Sequence, residues 1–169
     1  VESLGYDSLT IADHLDSQLA ITPALVSAAE ATTTLKIGTL VWCNDYRHPV
    51  ILAKEAATID LLSGGRLEFG IGAGWMTTDY EQAGIPLDRP PTRVKETAIM
   101  VRSMLRGEKS DFDLETLYSK GYRQPASENP PPIYLAALRS NMIEMAAEVG
   151  DGVIFNLWPK GALPKMMEH

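Results

Sequence analysis

Four short stretches carry side chains whose types and spacing could do chemistry. "ADH" (12–14) sets Asp13 and His14 directly after an apolar run, so an imidazole able to exchange a proton near neutral pH stands beside a carboxylate. "RLEFGIGAGW" (66–75) ends a second apolar run in Gly70, Gly72 and Gly74, followed by Trp75. "AALRSN" (136–141) closes a third run and opens a helical one. There the backbone N–H groups of Leu138, Arg139 and Ser140, the Ser140 hydroxyl and the Arg139 charge suit a phosphate, or Ser140 simply caps the helix. "NDYRHP" (44–49) gathers Asp45, Tyr46, Arg47 and His48 behind another run. The glycines invite comparison with the dinucleotide-binding turn G-x-G-x-x-G, but its third glycine would fall on Trp75. The acidic residue expected about 20 positions on is Asp88, inside "PLDRPP" rather than at a strand end, so a dinucleotide turn is disfavoured.

The elements that must position these groups follow from the hydrophobic pattern. Strand-like runs at 6–12, 35–42, 66–73, 132–137 and 151–157 are nearly continuous in apolar residues, as in strands buried on both faces of a parallel sheet. Helical punctuation lies between them. In 48–65, Pro49 suits a first helical position, Leu52, Ala56, Ile59 and Leu62 form a stripe, and Gly64 with Gly65 mark a stop. In 91–107, Thr92 is read as the N-cap, Val94, Ala98, Val101 and Leu105 as the stripe, and Gly107 as the end. In 139–152, Ser140 is read as the cap, with Ile143 and Ala147 inward and Gly150 after. The first three strands begin 29 and 31 residues apart, the length of a βα unit, while residues 107–132 form a polar surface excursion with room for a short hairpin.

Alternating βα units leave an open doubly wound sheet or a (β/α)8 barrel. In a barrel, functional groups gather on the loops after the strands. Asp13 and His14, residues 44–47, residues 72–75, and Arg139 with Ser140 all fall there, so the expected fold is an α/β barrel with one functional rim. The composition bounds the partners. A formal charge of −7, with 22 acidic against 15 basic residues, argues against a nucleic-acid ligand. No apolar stretch reaches the roughly 18 residues that span a bilayer, so no membrane partner is expected. The single Cys43 fits a reducing, cytoplasmic setting, and the three scattered histidines lack metal-ligand spacing.

"ADH", "IGTLVWCNDYRHPVILAKEAATIDLLSGGRLEFGIGAGW" and "IYLAALRSNMIEMAAEVGDGVIFNLW" together resemble the luciferase-like monooxygenase superfamily, especially its branch that uses the deazaflavin coenzyme F420. The resemblance runs over nearly the whole chain. It implies a (β/α)8 barrel of which these 169 residues hold about five parallel strands, lacking the first and the last two. It also implies hydride transfer between coenzyme F420 and a small organic substrate, with FMN-dependent oxygenation as the rival chemistry and a non-catalytic flavin-binding protein or inactive fragment as the reading from another class. His14 would be the catalytic proton partner. Asp13, His14, Leu40, Val41, Gly72, Ala73, Gly74, Trp75, Ala136, Ala137, Leu138, Arg139 and Ser140 would bind the cofactor. Leu40 and Val41 would carry a non-prolyl cis peptide, the glycines would admit the rings, and 136–140 would hold the phosphate. Trp75 is read evenly as a cavity wall or as core. Tyr46, Tyr80 and Trp158 are weaker substrate contacts, and where some F420 sugar dehydrogenases place a glutamate this chain has Trp75 and Met76, which disfavours a sugar phosphate. Arg47, His48, Asp60 and Arg66 are expected to be structural, and a homodimer is left open.

Overall fold

The computed structural model describes residues 1–155 and 161, so Trp158 lies outside the described residues. Each expected strand has a counterpart among the described residues. In chain order they are β1 (Ser8–Ile11), β2 (Lys36–Thr39) with β3 (Trp42–Cys43), β4 (Leu67–Gly72), β7 (Ile133–Ala136) and β8 (Gly152–Ile154). All pair in parallel, in the order β1-β2-β4-β7-β8, with β3 also on β4. The expected second strand is therefore two. The chain leaves the ladder at Leu40 and Val41, which are joined by a cis peptide, and rejoins it with Trp42 opposite Ile71.

Helices α1 (Ile21–Glu30), α2 (Pro49–Ser63), α4 (Pro90–Leu105) and α5 (Ser140–Val149) lie between the strands, and a short α3 (Thr77–Ala83) is added after β4. The period of two in β4 puts Leu67, Phe69 and Ile71 on one face. These three join Leu52, Ala56 and Ile59 of α2 and Val94, Ala98 and Val101 of α4 in one buried cluster. Trp42 packs on Phe69 with ring centroids 4.9 Å apart.

Helix boundaries differ from the sequence reading in ways that have local causes. Pro90 and Pro91, which need no N–H partner in a first turn, start α4 before Thr92, so Thr92 lies inside the helix rather than capping it. Ser140 is the first residue of α5 and makes no side-chain cap; Arg139 holds the cap position in an extended conformation. Leu62 is 54% exposed because the buried stripe of α2 continues through Asp60 and Ser63 instead. In α5, Met145 and Ala146 turn inward with Ile143, and Ala147 faces out. The 107–132 excursion folds into a hairpin, β5 (Ser110–Asp113) with β6 (Tyr118–Tyr122). The Glu96 carboxylate on α4 accepts the backbone N–H groups of Glu115 and Thr116 at its turn.

The end of the sheet opposite the strand C-termini is locked by polar side chains. Arg66 donates to the carbonyls of Ser63, Leu35, Ala29 and Thr32 and to the Thr32 hydroxyl, which spends its guanidinium on the turn between α2 and β4 and on the segment between α1 and β2. Asp60 accepts the backbone N–H of Leu67, while burial raises its pKa. His48 accepts the N–H of Val50 at the start of α2 and lies 3.0 Å from the Tyr118 carbonyl, tying the hairpin to that helix. Arg66, Asp60 and His48 thus have structural surroundings.

Glu2 gives this packing a pH signature. Its carboxylate accepts from Thr34 N (2.6 Å), Leu35 N (2.7 Å), Thr34 Oγ1 (2.8 Å) and Thr33 N (3.1 Å), and the Thr34 N–H above all pulls its pKa down to about 2. A carboxylate with a depressed folded pKa stabilises the fold above its unfolded pKa, and that contribution disappears as pH falls through the folded value. Glu2→Gln is therefore expected to lower the melting temperature at pH 7. The gap to the wild type should narrow below pH 4.5 and close near pH 2, as thermal melts across that range will show.

Candidate functional site

A cavity of about 530 Å3 opens at the C-terminal ends of the strands. The loop after β1 brings Asp13 and His14 to it, the break between β2 and β3 brings Leu40 and Val41, and the end of β4 brings Gly72, Ala73, Gly74 and Trp75. The end of β7 adds Ala136, Ala137, Leu138 and Arg139. Ser140 is not among its lining residues. Five loops and strand ends therefore converge on one rim, including Ile154 of β8, and Pro90 and Pro91 at the start of α4 complete the wall.

The glycines are required on two counts. A Cβ on Gly72 would come within 2.9 Å of both Val41 Cγ2 and Ala136 Cβ, so the cavity floor closes only with bare backbone there. Gly74 has φ +71°, and a Cβ on it would press on Cys43 Sγ at 2.8 Å and on the Tyr80 hydroxyl at 3.0 Å. Trp75 is 74% exposed and stands edge-on to His14, with centroids 6.2 Å apart and an interplanar angle of 82°. It is a wall of the cavity and not core.

His14 is held by a carboxylate that the sequence reading did not single out. Its Nδ1 lies 3.0 Å from Asp79 Oδ2, and the Tyr46 hydroxyl donates to the same oxygen at 3.1 Å. Asp79 is buried in α3. The hydrogen bond from His14, helped by those from Tyr46 and the Leu15 N–H, holds its carboxyl below the usual range against the opposing effect of burial. Burial, followed by the neighbouring Cys43 and Asp79, pushes the Tyr46 phenol well above its ordinary value, so it stays a neutral donor.

Asp13 has a different surrounding from a ligand contact alone. Its carboxylate accepts Arg47 Nη1 at 2.6 Å and Cys43 N at 3.2 Å, while Arg47 Nε reaches Glu55 at 3.2 Å. Asp13 thus fixes the strand end from which His14 projects. Tyr80 does not line the cavity. It is buried behind it, where its hydroxyl is shared between the Ala73 carbonyl and Asp45 and also meets Cys43 Sγ at 3.3 Å. Burial raises the Cys43 thiol pKa, which keeps it a neutral packing group. Asp45, with a side chain 0% exposed, takes Arg93 Nε of α4 at 2.5 Å and Asn44 Nδ2 at 3.0 Å.

The sequence could have pointed to Asp79, four residues after Trp75, as an acid close behind the glycine turn. The seven-residue α3 that presents it is too short to show a stripe. Among the described residues, no group of three His, Cys, Asp or Glu side chains is placed to hold a metal ion. No helix among them is long and apolar enough to cross a membrane.

Comparison with known proteins places the chain and its fold. The chain is 32% identical over 155 residues to a 5,10-methylenetetrahydromethanopterin reductase of Methanolobus tindarius, covering 92% of this chain and 47% of the relative. It is 31% identical over 170 residues to an F420-dependent glucose-6-phosphate dehydrogenase of Beutenbergia cavernae, covering 90% and 49%. The coenzyme F420 dependent tetrahydromethanopterin reductase from Methanopyrus kandleri superposes with a TM-score of 0.83 at 26% identity, over 92% of this chain and 49% of that one. The chain spans about half the length of the curated relatives it matches, and its mostly parallel sheet fits as part of a barrel of their kind. Residues 1–169 match the family model described as luciferase-like monooxygenase, and the chain belongs to that family.

Proposed function

We propose that the protein is an oxidoreductase that moves a hydride between coenzyme F420 and a small organic substrate, with His14 exchanging the accompanying proton. The observation that carries this reading is a histidine, paired with a buried carboxylate, facing a cavity whose floor is bare backbone and whose wall is an exposed indole. The F420-dependent activity in the names of its relatives supports the choice of cofactor. When bound, the deazaflavin supplies the two-electron hydride chemistry.

The chain's own residues fit such a group. The gap between Val41 and Ala136, which a Cβ on Gly72 would fill, gives a flat ring system a close floor, with Leu40 and Val41 behind it. The backbone N–H groups at the start of α5, where no side chain caps the helix, together with the exposed Arg139, suit the cofactor's phosphate. Trp75 and Met76 line the cavity where the family resemblance would place a sugar dehydrogenase's glutamate, which disfavours a sugar-phosphate substrate. Holding ring, phosphate and substrate in one line is the protein's share of the rate.

Titrating the protein separately with F420 and with FMN tests the reading. Saturable F420 binding without FMN binding is the expected result. The reverse would move the protein to flavin-dependent oxygenation, and binding of neither would overturn both enzyme readings.

A further inference from the structure

We infer that Asp79 is the positioning residue for His14: it holds the imidazole as its Nδ1–H tautomer and so presents Nε2, unprotonated, as the nitrogen that exchanges a proton with substrate. The inference rests on the hydride-transfer reading above. Its starting point is geometric. Asp79 is 3% exposed, and one oxygen, Oδ2, receives both His14 Nδ1 at 3.0 Å and the Tyr46 hydroxyl at 3.1 Å.

An ionised carboxylate can only accept hydrogen bonds, so Nδ1 must bring the proton to this contact. A neutral imidazole has one N–H, and placing it on Nδ1 leaves the lone pair on Nε2. Tyr46 contributes by fixing the carboxylate, since its hydroxyl anchors the same oxygen that His14 uses. Trp75 stands edge-on to the ring. The imidazole is therefore held by Asp79 through Nδ1, with the indole beside it.

The proton count then closes. A substrate hydroxyl would lose its proton to Nε2 while its carbon gave up a hydride. A bound deazaflavin would supply the two-electron acceptor, and the imidazolium formed would be paired with the Asp79 carboxylate already in place. In the opposite direction Nε2–H returns the proton to the carbonyl oxygen. Asp79, although it also lines the cavity, acts in this scheme through His14.

Nitrogen NMR of 15N-histidine-labelled protein without cofactor, above the imidazole titration range, reads the tautomer directly. With only three histidines, the His14 signals are assigned by their loss in His14→Gln. The wild type is expected to show Nδ1 protonated and Nε2 bare. Asp79→Asn should lose that exclusive form to a mixture, Asp79→Glu should restore it, and Tyr46→Phe, which keeps the carboxylate, should retain it. A wild-type His14 protonated on Nε2, or an Asp79→Asn protein with an unchanged tautomer, would overturn the inference. Titration with F420 in parallel separates the two readings. Failure of the wild type to bind F420 strikes the proposed reaction, whereas the tautomer result stands or falls without the cofactor.

Discussion

Replacing His14 with glutamine is expected to lower turnover by about 10²- to 10⁴-fold while leaving F420 binding largely in place, because a positioned acid–base group contributes a factor of that order. Glutamine keeps a polar side chain of similar reach but cannot take up a proton. The cavity floor at Gly72 and the start of α5 do not depend on His14, so affinity should survive. Turnover is followed through the F420 absorbance under single-turnover and steady-state conditions, with binding measured by titration on the same preparations. A variant that loses binding in proportion to turnover would make His14 a wall of the cofactor site instead of its proton partner. A variant that turns over at the wild-type rate would remove it from the chemistry.

The second large effect concerns stability. Arg93→Ala is expected to cost about 2–3 kcal/mol, less than the roughly 3–5 kcal/mol of a fully buried ion pair because the Arg93 side chain is 27% exposed. Asp45 has a fully buried side chain and receives Arg93 Nε at 2.5 Å. Asn44 and the Tyr80 hydroxyl would remain as hydrogen-bond donors, but neither supplies charge. Urea unfolding of wild type and variant measures the difference. A double variant, Asp45→Asn with Arg93→Met, should recover much of the loss, because the buried charge goes with its partner. A loss under about 1 kcal/mol in the single variant would place this pair with solvent-screened surface bridges instead. The consequence reaches the cavity, since Asp45 directly precedes Tyr46, the residue that anchors Asp79.

How far the sequence disclosed this molecule can be argued element by element. The parallel strands were legible because their apolar runs are long for their length, and because Pro49 and the glycine pair at 64–65 punctuate α2 with strong local chemistry. His14, Trp75 and the glycines were legible as a group because strand ends converge in a barrel whatever their separation along the chain. Asp79 was not, since its importance comes from a contact across 65 positions that no local pattern encodes. Asp13 was legible as a polar residue at a strand end, but its engagement by Arg47 depends on a loop 34 positions away. The cap of α4 was misplaced for a simpler reason: Thr92 is a good cap by type, yet two prolines before it had already set the helical backbone. Tyr80 is the opposite lesson, an aromatic residue next to the site whose hydroxyl is spent on the strand end behind it.

The position of β4 in the sheet has a bearing on motion. It is flanked on one side by β2 and β3 and on the other by β7, whereas β1 and β8 each have one neighbour within the described sheet. Edges fray with small opening free energies, and centrally paired strands open only with the domain as a whole. Gly72, the floor of the cavity, belongs to β4, so that backbone lies in a strand paired on both sides. Leu138 and Arg139, both exposed, project from the loop after β7 and are not part of that ladder. The cavity is thus built in two parts: a floor tied into the sheet on both sides, and exposed loop residues beside it that are not.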